Sequence, residues 1–223
     1  MISSVETING DSIMHRFLTS AIVLAVALVV APSQSFAHHV MGGGVPNTLM
    51  AGLLSGFGHP IIGIDHLAFI VLVGISAAFM TRRLLTPLAF IAATLIGCTM
   101  MIAGAALPYA EVVITASVVL VGGMVVSGRS FPAIWYMVVY GLAGVFHGWA
   151  YGESIVGAEP TPVVAYLVGF GLVQYAIALA TGWVVLSIAK AAGPDAIRPR
   201  LAGAVAAGVG LAFLVENIEA MMF

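Results

Sequence analysis

From residue 60 to its end the chain alternates long apolar runs with short polar breaks. A helix that crosses a bilayer needs about 20 mostly apolar residues. Six runs meet that length: residues 60–80, 84–106, 111–128, 131–151, 161–189 and 200–222. Turn and charge signals separate them: Thr81, Arg82 and Arg83; Leu107, Pro108 and Tyr109; Ser127, Gly128 and Arg129; then residues 152–162 and 190–199. Residues 47–57 predict a short helix lying at the membrane surface before the first span. The pattern predicts an all-α polytopic membrane helix bundle, with residues 38–223 as a single domain of six transmembrane helices.

The segment ahead of this domain has a different grammar. Met14, His15 and Arg16 make a short basic start, residues 17–30 an apolar core, and Ser35, Phe36 and Ala37 a small-x-small cleavage pattern. That order predicts a secretory signal peptide over residues 1–37, with Met14 as an alternative start and His38 as the mature N-terminus. The rival reading is an uncleaved first transmembrane helix, for which the apolar core is short.

Composition agrees with a membrane protein. The chain is 61% hydrophobic and 7% charged, whereas soluble domains carry about 25% charged residues. Its 26 glycines suit helices that approach closely in lipid, and they permit a homo-oligomer without requiring one. A net charge of −2 with no basic patch gives no reason to expect nucleic acid as a partner. The single cysteine, Cys98, leaves no internal disulfide and no cysteine-cluster metal site.

Orientation follows from the positive charges. With His38 exported, the first span ends at Arg82 and Arg83, the third at Arg129, and the fifth at Lys190, ahead of Arg198 and Arg200. Every lysine and arginine after residue 37 then faces the cytoplasm, as the positive-inside rule asks. Both termini of the mature chain face outward. His59, Asp65, His66, Glu111, His147 and Glu153 all fall in the outer half of the bundle, with only Asp195 among these acids' counterparts facing inward.

Two segments concentrate the chemistry. Residues 59–66 read H-P-I-I-G-I-D-H, which places two imidazoles and a carboxylate beside an apolar run. An ionisable side chain in a span is expensive, about 2.5–3.5 kcal/mol at a helix centre on insertion scales, and usually marks function. Imidazole and carboxylate together suit borderline divalent metals. Pro60 fits the first helical position, leaving His59 near the cap. Seven residues separate His59 from His66, too far along a straight helix to share one ion, so a bend at Gly63 is needed.

The second segment, residues 146–153, reads F-H-G-W-A-Y-G-E. His147 and Tyr151 share a helix face, Gly152 fits a helix end, and Glu153 follows it. Glu111 after Pro108 suits a helix N-terminus; Glu216 and Glu219 read as solvated. His38 and His39 make a separate candidate, since an N-terminal amine with imidazole chelates copper, nickel or cobalt. The methionines read as apolar packing.

These residues resemble a known family. Residues 56–66, G-F-G-H-P-I-I-G-I-D-H with Gly74 downstream, are similar to the signature of HupE/UreJ proteins. Leu107, Pro108, Glu111 and Ser117 resemble that family's middle segment, and residues 146–153 its second signature. The resemblance covers essentially the whole chain after residue 37. It implies a bacterial inner-membrane permease for nickel, in some members cobalt, found with hydrogenase or urease genes. It also implies His59, Asp65, His66, Glu111, His147 and Glu153 as functional residues. One position departs: Tyr151 stands where the second signature commonly has histidine. A phenol titrating near 10 is a poor nickel ligand at neutral pH, which leaves the choice of metal open.

The expectation is therefore a secondary importer of a divalent transition metal, nickel first and cobalt next, with no permanent cofactor and no enzymatic activity. No P-loop sequence points to ATP. Three alternatives stay open: a metal-holding accessory protein for hydrogenase or urease maturation, a redox protein with His66 and His147 as axial haem ligands, and a channel for an uncharged solute.

Overall fold

The computed structural model describes residues 44–222; the expected signal peptide, His38 and His39 lie outside these. Among these residues seven α-helices follow one another: α1 (Leu49–Ile62), α2 (Ile64–Ala78), α3 (Thr86–Ile102), α4 (Ala110–Val126), α5 (Ala133–Gly152), α6 (Pro160–Trp183) and α7 (Ile197–Met222). A 3-10 turn, Glu153–Ile155, extends α5, and a π segment, Val184–Ile188, extends α6. No strand occurs among the described residues. Three of these helices are long and apolar enough to cross a membrane, and a fourth crossing is reached if α1 and α2 count as one span bent by 81°. Helices α3 and α4 are apolar but shorter, at 17 residues each.

The first segment differs from the sequence expectation. A short helix does precede α2, but it is longer than expected: α1 runs Leu49–Ile62, set at 81° to α2, and its Gly52, Ser55, Gly56, His59 and Pro60 are buried. Pro60 does not open the next helix; it sits in the last turn of α1, and the break falls at Gly63. The extended Gly63 backbone (ψ 103°) ends one helix and starts the next. Thr48 caps α1 by accepting from the Ala51 amide at 3.1 Å, which satisfies one otherwise unpaired donor.

Glycine lets the helices meet backbone to backbone. On α5, Gly144, Gly148 and Gly152 recur every fourth residue and face α3. A methyl carbon at Gly144 would stand 2.6 Å from Ala93 Cβ, one at Gly148 2.5 Å from Thr94 Cα, and one at Gly152 2.7 Å from Met101 Cβ. Gly152 thus serves contact with α3 and is no helix cap; the positive φ that closes the turn is at Gly157, 81°. Gly52 and Gly56 bring α1 onto the Pro162 and Tyr166 carbonyls of α6 in the same way. Close approach through small residues is how helices associate where lipid tails are as apolar as leucine.

Cross-links set the direction of each helix. Helices α4 and α7 run antiparallel: the Asn217 amide donates to the Glu111 carbonyl at one end, and Arg200 Nε to the Val126 carbonyl, 2.7 Å, at the other. Helices α2 and α5 are also antiparallel, joined by His66 with His147 and by Ser76 with Tyr140. Outward-facing leucines, isoleucines and tryptophans such as Ile134, Leu142, Leu172, Trp183 and Leu201 cover the bundle. Apolar surface this extensive suits lipid rather than water.

Candidate metal site at the helix break

The break at Gly63 places three ligand-type side chains in the interior. His59 ends α1, Asp65 and His66 begin α2, and all three are buried. Asp65 lies in the first turn of α2, where the helix dipole favours a negative charge. Gly63 is required for space as much as for the bend: an added Cβ would stand 2.7 Å from His66 Cδ2.

His66 meets His147 of α5 directly, Nδ1 to Nδ1 at 2.8 Å. Neighbouring bonds settle which nitrogen carries each proton. Ser117 of α4 donates its hydroxyl proton to the Ile114 carbonyl at 2.6 Å, so its oxygen accepts from His147 Nε2 at 3.1 Å. His147 then has a bare Nδ1, which accepts from His66 Nδ1–H, and the lone pair of His66 is on Nε2. Three helices, α2, α4 and α5, therefore share one imidazole–imidazole–hydroxyl chain.

His59 belongs to a second net. Its Nδ1 lies 3.0 Å from Ser154 Oγ and 3.1 Å from the Tyr166 hydroxyl. Tyr166 also donates to the Tyr151 carbonyl at 2.8 Å, tying α1, α6 and the turn after α5 together. Between the two nets stands the Tyr151 ring, 5.1 Å from the His59 ring and 4.3 Å from that of His66. Phe69 and Phe90 close the other side of His147, with ring centroids at 4.5 and 5.8 Å.

The structure thus gathers His59, Asp65, His66 and His147, and leaves Glu111 and Glu153 exposed at the same end of the bundle. Among the described residues, no three His, Cys, Asp or Glu side chains are arranged to hold one metal ion. The donors come as pairs completed by hydroxyls. Sequence reasoning missed Ser154, Tyr166 and the centrality of Tyr151. It also missed Gln174, fully buried, which donates to Thr94 Oγ1 at 3.3 Å and to the Phe170 carbonyl at 3.2 Å.

The family model for HupE / UreJ protein matches residues 26–213, an interval that contains every residue of both nets. The chain belongs to the HupE/UreJ family. Protein HupE of Rhizobium leguminosarum bv. viciae is 29% identical over 199 residues, covering 88% of this chain and 98% of the relative. No solved structure matches the chain. HupE/UreJ proteins are associated with nickel or cobalt transport or with hydrogenase and urease maturation.

Proposed function

We propose that this HupE/UreJ protein is a secondary importer of a divalent transition metal, nickel first and cobalt second. It is embedded in the bacterial inner membrane by six spans, with both ends of the mature chain periplasmic. The observation that carries the reading is the buried His66–His147 pair beside a broken helix. Discontinuous helices that place polar groups at a break are a recurring way to build an ion site inside a membrane.

The ion would be gathered by Glu111 and Glu153 at the outer end, with His38 and His39 as earlier contacts. It would then exchange water for His59, and next for His66 and His147. Pairwise donors suit transport, because conduction needs entry without trapping. Asp65, beside these imidazoles, would offset the incoming charge.

The six-span topology draws support from the basic residues. Arg82, Arg83, Arg129, Lys190, Arg198 and Arg200 all fall in or next to the connections after α2, α4 and α6. That is the distribution expected of cytoplasmic loops. At 1.5 Å per residue, α3 and α4 reach about 26 Å, a mismatch with the hydrocarbon core that flanking turns and slight bilayer thinning absorb. The haem alternative requires a macrocycle between the two imidazoles, but they touch at 2.8 Å.

Proteoliposome uptake of nickel, cobalt, zinc and copper, comparing wild type with His66→Ala and His147→Ala, tests the proposal. Wild-type flux of nickel or cobalt that falls to the empty-vesicle rate in both variants is expected. Equal flux in all three proteins would overturn it, and metal binding without any flux would leave the maturation-accessory role.

A further inference from the structure

We infer that Tyr151 is the specificity-determining residue of this site, its phenol serving as the contact an ion makes in passing between the His59 net and the His66–His147 pair. The inference rests on the transport reading above. Tyr151 is fully buried, and its hydroxyl has no hydrogen-bond partner among the described residues. A buried hydroxyl without a partner is costly, so an unpaired one between two sets of metal-type donors calls for a role.

Its placement supplies that role. The ring meets His59 edge-on, at 88°, and lies tilted by 36° against His66. The Tyr151 backbone carbonyl is held by Tyr166 and by Ser154, at 2.8 and 3.1 Å, while Gly148 and Gly152 clamp the same turn onto α3. The side chain is therefore fixed from below and flanked on both sides by imidazole. An ion leaving His59 for His66 would pass this ring.

A neutral phenol is an oxygen donor of low affinity. It accepts a hydrogen bond from a metal-bound water, or touches the ion briefly, without holding it. Imidazole at the same point would add a nitrogen donor and favour metals high in the Irving–Williams order. Phenylalanine would keep the ring and remove only the oxygen.

The experiment is metal-resolved uptake into proteoliposomes by Tyr151→Phe and Tyr151→His, beside wild type and His66→Ala. Tyr151→Phe is expected to lower maximal nickel or cobalt flux roughly tenfold, the size of one lost hydrogen bond to a charged group. Tyr151→His is expected to lower both KM and maximal rate, and to shift preference toward copper and nickel over cobalt. Should Tyr151→Phe fail to assemble, that shift in Tyr151→His decides the matter. If both variants match wild type in rate and metal order while His66→Ala is dead, the role assigned to Tyr151 is wrong and transport stands. If His66→Ala also transports normally, the transport reading falls and takes this inference with it.

Discussion

Helices α2 and α5 meet at both ends of the bundle, and the two meetings differ in kind. At one end the contact is His66 with His147, joined by Ser117, Tyr151 and the break at Gly63. Toward the other, Leu72, Ile75, Tyr136 and Tyr140 belong to an aromatic and aliphatic core, and Ser76 with Tyr140 is the polar pair between the two helices there. Beyond it a cavity of about 50 Å³ is lined by Phe79, Met80, Arg129 and Tyr136. One end is thus packed with largely apolar side chains from several helices and contains no imidazole. Polar groups buried where packing does not demand them point to chemistry.

Four substitutions test that division, from the largest expected effect to the smallest. Gly148→Ala presses a methyl carbon onto Thr94 of α3, and overpacking of this kind destabilises by about 1–3 kcal/mol. A lowered unfolding temperature of the purified protein, with loss of uptake, is the expected outcome. Ser117→Ala removes the acceptor from His147 Nε2 and leaves a buried N–H unpaired, at about 1–3 kcal/mol. Uptake should fall several-fold while the protein still purifies as a folded species.

Ser76→Ala should behave otherwise. It takes a partner from the buried Tyr140 hydroxyl at the apolar end, costing about 1–3 kcal/mol in thermal stability, and uptake should be unchanged. A drop in uptake matching that of Ser117→Ala would erase the distinction between the two ends. Smallest is Glu111→Gln: the side chain is exposed, so its attraction for cations is screened within about 8–10 Å at ordinary ionic strength. Initial uptake rates should decline at low salt, about two-fold or less, and converge with wild type at high salt.

Much of this was legible from residues alone. The two short segments holding His59, Asp65, His66 and His147 stand out because imidazole and carboxylate are conspicuous among apolar neighbours. The need for a bend at Gly63 also followed from the spacing of the histidines. Harder to read was where α1 ends. Proline is acceptable in the first turn of a helix and disfavoured inside one, which pointed to a start at Pro60; packing of Gly52 and Gly56 against α6 overrides that preference. Gly152 plays two parts that sequence cannot separate: it is the last residue of α5, and it makes room for α3. Ser154 and Tyr166 gave no pattern, because each joins the site only through a contact distant in the chain, 95 and 107 residues from His59.

The glycine seams have a mechanical consequence. Backbone contact welds α5 to α3 and α1 to α6, so each couple can shift only as one stiff unit. His147 and Tyr151 ride on the first unit, His59 and Tyr166 on the second, and His66 on α2 beside them. Under the proposed transport role, a movement that parts the rings would fall at the joints between these units, with the single-residue elbow at Gly63 between α1 and α2.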